Sequence, residues 1–502
     1  MDRYNVKDND ESICLQKCWQ MIYTEGKGIM RKRFWLRMAE ALVFIALLAA
    51  VFVVVSDVLV RKESRNLLGG FLEEPENYDV LFFGDSKLVT SMVPMELWEE
   101  YGIAGYNLAC YSALMPVSYW TLINALDYAA PKLAVFSVNG FTEEKKVSHY
   151  SPDVHTEMDF WPLTRNKVRM INDLMDNPEN PDIADSEGNL YRDLKWEFLF
   201  PIGKFHGRWS ELGKEDFTKR PRHVKGGEFM VGIEPIWDYT LTSEDDYADE
   251  VGYAFSYLRM AIEECQSRGI EVLLLHLPSP IRVNSQRYAN TARSIASEYD
   301  VDFIDATQLD SIVDYAVDCF DTDPHLNTAG TLKMTSFLGS YIQERYKLPD
   351  RRGEAKYAHW NDLLEAHKDE KMRVIGEQED LNNILMLLHD RDYDVDLFLS
   401  PDASVWYDDL SILLMHNIAR ERVLAGEEYD KWSNFMFPLE GFDQALSDCT
   451  SYYLHRESGA WQEYAGEAAE SAAAQAFGEN LKDIFVEIRD ARTQEVVKLL
   501  KF

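Results

Sequence analysis

The sequence predicts an α/β protein: a three-layer sandwich with a central parallel sheet, preceded by one transmembrane helix and followed by a small α+β domain. An almost purely apolar stretch lies between Ala41 and Val60, and short apolar runs then alternate with amphipathic segments up to about residue 350. Such alternation is typical of a parallel sheet with helices on its faces. Because 502 residues exceed what one compact core usually holds, we expect more than one domain.

The apolar stretch at 41–60 has the length that spans a bilayer as a helix. About forty mostly polar residues precede it and no small-residue cleavage pattern ends it, so we expect a retained anchor rather than a cleaved signal peptide. Five basic residues shortly before the helix outnumber three directly after it. This excess predicts that residues 1–40 lie in the cytoplasm and that the chain beyond residue 66 lies outside.

Charge and cysteine content exclude several classes of function. The chain has 51 Lys and Arg against 86 Asp and Glu, a net charge of −35, which repels a nucleic-acid backbone. Cys110, Cys265, Cys319 and Cys449 are widely scattered and lack metal-ligand spacing. We therefore expect no nucleic-acid partner, no metal and no cofactor.

Five apolar runs bounded by turn residues predict the strands of the parallel sheet. They are Val80–Phe83, Gly105–Ala109, Leu133–Val138, Glu271–Leu277 and Asp302–Asp305. Ligands and catalytic groups of such sheets gather at the carboxyl ends of the strands. Candidate functional residues are therefore sought directly after each strand.

The segment FFGDS ends the first strand and presents Gly84, Asp85 and Ser86 at that edge. A serine at the start of a helix or turn has unpaired backbone N–H groups beside it, which can stabilise an oxyanion. Ser86 is therefore a candidate nucleophile, with Asp85 expected to brace the turn. The same three residue types also form ordinary turns, so the tripeptide alone does not decide.

A serine nucleophile needs a base, and His325 in CFDTDPHLNTAG is the strongest candidate. It follows the last predicted strand, and Asp321 and Asp323 are both close enough in sequence to orient its imidazole. His276, at the end of the fourth strand, is the alternative base, although a histidine there is more often a packed, hydrogen-bonded residue. His206, in FPIGKFHGRWSEL, has aromatic neighbours that could shape a substrate cleft, and a structural role is equally compatible with them.

These residues resemble the SGNH or GDSL hydrolase-like superfamily over roughly residues 77–347. The family's Gly-Asp-Ser block, its Asn block and its late Asp/His block match FFGDS, Asn139 in LAVFSVNGF and the segment around His325, in the family's order. The resemblance implies Ser86 as nucleophile, with the Ser86 N–H and the Asn139 side chain binding the oxyanion. Asn107, in GYNLACYSAL, is a possible residue of the cleft.

Two of the family's blocks are altered in this sequence. Ala109 and Ser112 stand where the second block normally has glycine, and Thr322 stands where the usual Asp-x-x-His has aspartate. Asp323 gives the shorter Asp-x-His, which is similar to membrane-associated members that handle bacterial exopolysaccharide O-acetylation. On that resemblance we assign Asp323 as the residue that holds His325.

The layout also resembles the teichoic acid D-alanylation proteins, and the long insertion at about 142–243 is similar to that of anchored members. The resemblance implies a bacterial cell-membrane protein, a serine esterase or O-acyltransferase that acts on a cell-surface glycopolymer through an acyl-Ser86 intermediate. A membrane-bound O-acyltransferase is the implied partner. The alternative is a non-catalytic scaffold of the same fold that binds glycopolymer or recruits such an acyltransferase.

Beyond a charged stretch at about residue 350, the pattern changes, and we expect an accessory α+β domain at 371–502. The segment YDVDLFLSPDASVWYDDLSILLMHN predicts a strand, a turn and a helix, and IFVEIRDARTQEVVKLLKF predicts two strands around a turn. No second Ser/His/Asp set is recognisable in this part of the sequence.

Overall fold

A computed structural model describes most of the 502 residues. The described ranges are 7–60, 68, 70–74, 77–141, 151–176, 193–217, 224–250, 252–280, 282–309, 312–418, 420–424, 432–436, 439–478 and 480–501. The chain divides into two compact units. The anchor unit comprises residues 1–61 and 200–218, and the main unit comprises residues 62–199 and 219–502.

The described helices, in chain order, are α1 Lys7–Leu59, α2 Ser86–Val89, α3 Pro94–Tyr101, α4 Met115–Ala125, α5 Ser151–Met158, α6 Arg165–Asp176, α7 Lys195–Leu199, α8 Ile202–Phe205, α9 Ala254–Ser267, α10 Val283–Tyr299, α11 Thr328–Tyr346, α12 Ala358–Glu377, α13 Leu381–Leu387, α14 Asp409–Ile418, α15 Glu440–Asp448 and α16 Glu467–Phe477. The described strands are β1 Val80–Phe83, β2 Gly105–Asn107, β3 Leu133–Ser137, β4 Glu271–His276, β5 Asp302–Asp305, β6 Tyr393–Leu399, β7 Arg420–Leu424, β8 Trp432–Met436, β9 Tyr452–Glu457, β10 Ala460–Ala465, β11 Ile484–Asp490 and β12 Val496–Lys501.

The anchor unit consists mainly of α1. Its segment Arg33–Ser56 has a mean hydropathy of 2.8 and is long and apolar enough to cross a membrane. The predicted span at 41–60 overlaps most of this segment, and the helix extends well into residues 1–40. The Arg208 guanidinium donates a hydrogen bond to the Leu59 carbonyl at 2.7 Å, so residues 200–218 are fastened to the end of α1.

A five-stranded parallel sheet forms the centre of the main unit, in the order β2-β1-β3-β4-β5. All five strands predicted from the sequence are present. In β1, Leu81 lies opposite Tyr106 of β2 and Ala134 of β3. Strands β2, β3 and β4 end one or two residues earlier than predicted, where the chain leaves the sheet to form loops at its carboxyl edge.

Both faces of this sheet are buried, which explains the nearly continuous apolar strands. Side chains alternate between the faces of a strand. Leu81 and Phe83 belong to a core shared with α4 and α9. Val80 and Phe82 belong to another core, shared with α11.

The last part of the chain forms an antiparallel sheet in the order β10-β9-β6-β11-β12. The predicted strand, turn and helix correspond to β6 and α14, and the predicted final strand pair corresponds to β11 and β12. The domain boundary expected at Lys371 falls inside α12. This helix carries side chains that bind both parts of the main unit.

A buried ion cluster makes that connection. The Lys371 ammonium lies 2.6 Å from Glu96 Oε1, 2.9 Å from Asp390 Oδ2 and 2.7 Å from Asp392 Oδ2. Glu96 belongs to α3, whereas the two aspartates directly precede β6. The His367 Nε2 atom also lies 2.7 Å from Glu96 Oε1. The parallel and antiparallel sheets are therefore joined by charges that have little access to water.

The predicted insertion at 142–243 separates β3 from α9 and contributes helices α5 to α8. Its final part runs along the loop before α11. The Glu234 N–H donates to the Cys319 carbonyl at 2.9 Å, and the Ile236 N–H donates to the Tyr315 carbonyl at 3.0 Å. The Thr328 N–H donates to the Met230 carbonyl at 2.9 Å. The insertion thus supports the loop that carries His325.

Candidate active site

The turn after β1 places Ser86 at the carboxyl edge of the sheet, as the first residue of α2. The Asp85 carbonyl accepts hydrogen bonds from the N–H groups of Leu88 and Val89, which closes this short helix. Gly84 is required by close packing, because a Cβ there would lie 2.5 Å from the Ser137 Cβ. The turn therefore has a tightly fixed backbone directly before Ser86.

The loop from residue 319 to residue 326 delivers His325 to the same edge. Cys319 and Leu326 form an isolated antiparallel bridge, and the Phe320 N–H donates to the His325 carbonyl at 2.7 Å. This closure folds the loop back on itself. As a result, Asp321 lies beside His325.

Ser86, His325 and Asp321 form a continuous hydrogen-bond chain. The Ser86 Oγ lies 2.8 Å from the His325 Nε2, and the His325 Nδ1 lies 2.8 Å from the Asp321 Oδ2. The backbone N–H of His325 also donates to the Asp321 Oδ1 at 3.2 Å. With an ionised Asp321, Nδ1 carries the proton and Nε2 accepts the hydroxyl proton of Ser86. This is the arrangement that activates a serine for nucleophilic attack.

The assignment of Asp323 to His325 is wrong, because Asp321 occupies that position. Asp323 lies at the tip of the loop and pairs instead with Lys87, at 3.1 Å, and with Arg282. Partial burial alone would raise the pKa of the Asp323 carboxyl, but Lys87 and Arg282 outweigh it and hold the pKa below its usual value. Asp323 is therefore the counter-ion of two cations beside the serine.

Lys87 and Asp85 are the charged neighbours of Ser86 in sequence. Burial lowers the pKa of the Lys87 ammonium, and Asp323 opposes this effect. Burial raises the pKa of the Asp85 carboxyl, and the charges of Lys87 and His325 oppose it. The Ser137 hydroxyl donates a long hydrogen bond of 3.4 Å to Asp85 Oδ1. Asp85 braces this edge through its backbone carbonyl and is half-buried.

Asn139 lies beside the site, but its side chain is fully engaged. Its Nδ2 donates to the Leu277 carbonyl at 3.0 Å and to the Ser279 Oγ at 2.9 Å. Its Oδ1 accepts from the Leu277 N–H at 2.8 Å. Both amide hydrogens thus form hydrogen bonds that connect the end of β3 to the segment after β4. The prediction that this amide binds an oxyanion does not agree with this geometry.

The two possible cleft residues have structural contacts. Asn107 is completely buried; its Nδ2 donates to the carbonyls of Leu88 and Met92, both at 2.9 Å, and its Oδ1 accepts from the Ala109 N–H. It holds α2 and the segment that follows it against β2 instead of facing a cleft. His206 is an exposed residue of the anchor unit, with its Nδ1 2.7 Å from the Gly203 carbonyl.

A polar cavity of about 310 Å³ opens in front of Ser86. Its lining comprises Asp85, Ser86, Lys87, Ser112, Ala113, Leu114, Asn139, Gly140, Phe141, Ser279, Arg282, Ser285 and Asp323. Ser112 has φ of 59°, in the left-handed region that favours glycine. Ser112 is one of the two residues that stand where the glycine of the resembled family is expected.

Lys87, Arg282 and Ser285 were not recognised from the sequence. Of these three residues, only Lys87 could have been found from the sequence, because it directly follows the candidate nucleophile Ser86. Arg282 and Ser285 follow β4, and His276 was the candidate site residue named at the end of that strand. In the part of the chain that the structure describes, no group of three or more His, Cys, Asp or Glu side chains is arranged to hold a metal ion.

Comparison with known proteins adds no assignment to this geometry. No protein-family model matches the chain, and no curated protein matches it. The assignment of a function therefore depends on the residues of the site and on the motifs that carry the resemblance.

The close approach at Gly84 leads to a testable prediction. Gly84→Ala is expected to displace the turn before Ser86, because the new methyl group would lie 2.5 Å from the Ser137 Cβ. We expect a lower melting temperature and a slower reaction of Ser86 with a fluorophosphonate. Gly207→Ala is the control, since a Cβ at Gly207 meets no atom within 4 Å. Equal melting and reactivity of the two variants would contradict the packing role of Gly84.

Proposed function

We propose that this chain is a membrane-anchored serine esterase or O-acyltransferase of the SGNH or GDSL type. The observation that carries the proposal is the chain of two 2.8 Å contacts that joins Ser86 to His325 and His325 to Asp321 beside a polar cavity. Its three members come from two separate segments, one after β1 and one before α11. The five-stranded parallel sheet is compatible with the three-layer sandwich of that superfamily.

The proposed reaction begins when the Ser86 Oγ attacks the carbonyl carbon of an ester and His325 Nε2 takes the hydroxyl proton. Asp321 holds the imidazole and stabilises its positive charge. The tetrahedral intermediate collapses, the bond to the leaving oxygen breaks, and His325 gives that oxygen its proton. Water or a hydroxyl of an acceptor then attacks acyl-Ser86, with the same proton transfers in the reverse direction.

Backbone groups are the proposed binders of the oxyanion. Ser86 is the first residue of α2, and N–H groups in the first turn of a helix have no acceptor within the helix. The left-handed backbone of Ser112, on the cavity wall, supports a second donor, its own N–H. Positive φ at a non-glycine residue is a strained conformation that often marks a functional position.

A carbohydrate is the proposed substrate class. Most of the cavity wall consists of hydroxyl, amide and charged side chains, which suit sugar hydroxyls better than a long aliphatic chain. The resemblance to exopolysaccharide O-acetylation and teichoic acid D-alanylation proteins favours a cell-surface glycopolymer. We place the main unit outside a bacterial membrane with the N-terminus inside, beside a membrane-bound O-acyltransferase, and take residues 371–502 as a small accessory α+β part.

A scaffold without catalysis is the second candidate, because an intact fold can persist without activity. Labelling of the full-length chain in detergent with a fluorophosphonate probe separates the two, since the probe reacts with a serine whose base is in place. We expect the wild-type chain to be labelled and Ser86→Ala to lose the adduct at position 86. An unlabelled wild-type chain that is folded by its melting temperature would favour the scaffold.

A further inference from the structure

A second Ser–His–Asp chain lies at the same edge of the sheet. The Ser285 Oγ is 3.0 Å from the His276 Nε2, and the His276 Nδ1 is 2.8 Å from the Asp305 Oδ1. The atoms and their order are those of the Ser86, His325 and Asp321 chain. His276 ends β4 and Asp305 ends β5, so adjacent strands hold the pair in register.

The hydrogen bonds around Asp305 fix the direction of this chain. Asp305 Oδ2 also accepts from Gln286 at 2.6 Å and from Arg293 at 2.9 Å. Burial alone would raise the pKa of the Asp305 carboxyl, but His276, Gln286 and Arg293 together hold the pKa below its usual value. An ionised Asp305 can only accept, so the His276 Nδ1 is the protonated nitrogen. In the neutral imidazole of His276 the Nε2 atom is then the acceptor, and the Ser285 hydroxyl donates to it.

Ser285 belongs to the cavity wall that also contains Ser86. Its histidine is fully buried, with no exposed surface, and the side chain of Asp305 is only 8% exposed. The buried pair therefore meets the cavity through Ser285. Ser279 provides a contrast on the same wall, since its hydroxyl accepts a hydrogen bond from the Asn139 amide and has no described histidine partner.

We propose that Ser285 is a second nucleophile of this cavity, able to carry the acyl group of an ester bound there; this inference rests on the proposed function. The Ser285 Oγ forms a bond to the acyl carbonyl carbon while His276 Nε2 takes its proton. The bond from that carbon to the leaving oxygen breaks, and His276 gives its proton to the leaving oxygen. The leaving oxygen is that of the acyl donor or, for a hand-over between serines, the Oγ of Ser86.

The test is mapping of fluorophosphonate adducts by peptide mass spectrometry on the full-length chain in detergent. We expect Ser86→Ala to retain an adduct at Ser285, formed more slowly than the wild-type adduct at Ser86 because Ser285 is more buried. We expect Ser86→Ala/Ser285→Ala to lose all labelling in the cavity. Ser86→Ala/Ser279→Ala is the matched control and is expected to keep the Ser285 adduct. Each variant removes one hydroxyl, and melting temperatures verify folding.

The outcomes separate this inference from the proposed function. An adduct at Ser86 in the wild type, with none at Ser285 in Ser86→Ala, would overturn the inference and leave the proposed function intact. An adduct at Ser285 with none at Ser86 in the wild type would overturn the assignment of Ser86 as the first nucleophile and leave Ser285 as the reactive serine of the cavity. A folded chain without any adduct would overturn both. Denatured chain should be unlabelled at Ser285, because the reactivity requires the folded His276 and Asp305 pair.

Discussion

Replacement of Asp321 by asparagine is expected to slow the reaction of Ser86 with a fluorophosphonate by about 10³- to 10⁴-fold. The carboxylate lies 2.8 Å from the His325 Nδ1 and also accepts a hydrogen bond from the backbone N–H of His325. It therefore fixes the orientation of the imidazole and its tautomer. An amide at this position can donate to Nδ1, which favours the tautomer whose Nε2 cannot take the serine proton. The measurement is the second-order rate constant of adduct formation on the full-length chain in detergent.

Asp323→Asn is the matched control, two residues away in the same loop. Its carboxylate pairs with Lys87 and Arg282, so we expect a loss of less than about tenfold. This comparison decides which aspartate serves His325, because both are plausible from the sequence. A larger loss for Asp323→Asn than for Asp321→Asn would contradict the hydrogen-bond chain.

Replacement of Lys371 by alanine is expected to destabilise the main unit by about 3–5 kcal/mol. The ammonium is the shared partner of three carboxylates, those of the buried Glu96 and Asp390 and of the mostly buried Asp392. Without it, buried negative charges repel one another across the junction between the two sheets. Thermal or denaturant unfolding of the purified full-length chain measures the change in the free energy of unfolding.

Arg373→Ala is the control on the same helix. Arg373 forms exposed pairs with Glu370 and Glu377, and such pairs contribute at most about 1 kcal/mol. A difference between the two variants of less than 1 kcal/mol would contradict a structural role for the cluster.

The effect of Lys371→Ala should depend on pH. Burial alone would raise the pKa of the Glu96 carboxyl, but Lys371 and His367 hold it below its usual range. Removing Lys371 takes away the largest of these opposing influences, so the folded-state pKa of Glu96 rises above its wild-type value and the carboxylate binds a proton more readily. Where a folded-state pKa exceeds the unfolded one, the free energy of unfolding increases as pH falls. We therefore expect a smaller deficit at pH 5 than at pH 8.

Much of the site could be predicted from the sequence, because a residue that directly follows a strand of a parallel sheet lies at the carboxyl edge of that sheet. Ser86 directly follows β1, and His325 lies in a short loop that leads into α11. The apolar pattern also predicted the five strands, since both faces of the sheet are buried. Gly84 was recognised by its motif, and the structure supplies the reason in its contact with Ser137.

The hydrogen-bond partners of polar side chains could not be predicted from the sequence. Asn139 matches the expected block, yet the segment after β4 takes both of its amide hydrogens. Asn107 and His206 have the right chemistry for a cleft, but their contacts lie elsewhere. A residue type says what a side chain can bind, whereas its neighbours in space decide what it does bind.

The sequence by itself determined the apolar N-terminal helix, the parallel sheet and the pairing of Ser86 with His325. These follow from local composition and from the order of strands, which are properties of short segments. Only the tertiary structure decided that Asp321 holds His325, because the bridge between Cys319 and Leu326 turns the loop back on itself. It alone brought Ser285 to His276 and Asp305, since such contacts depend on where separate segments meet.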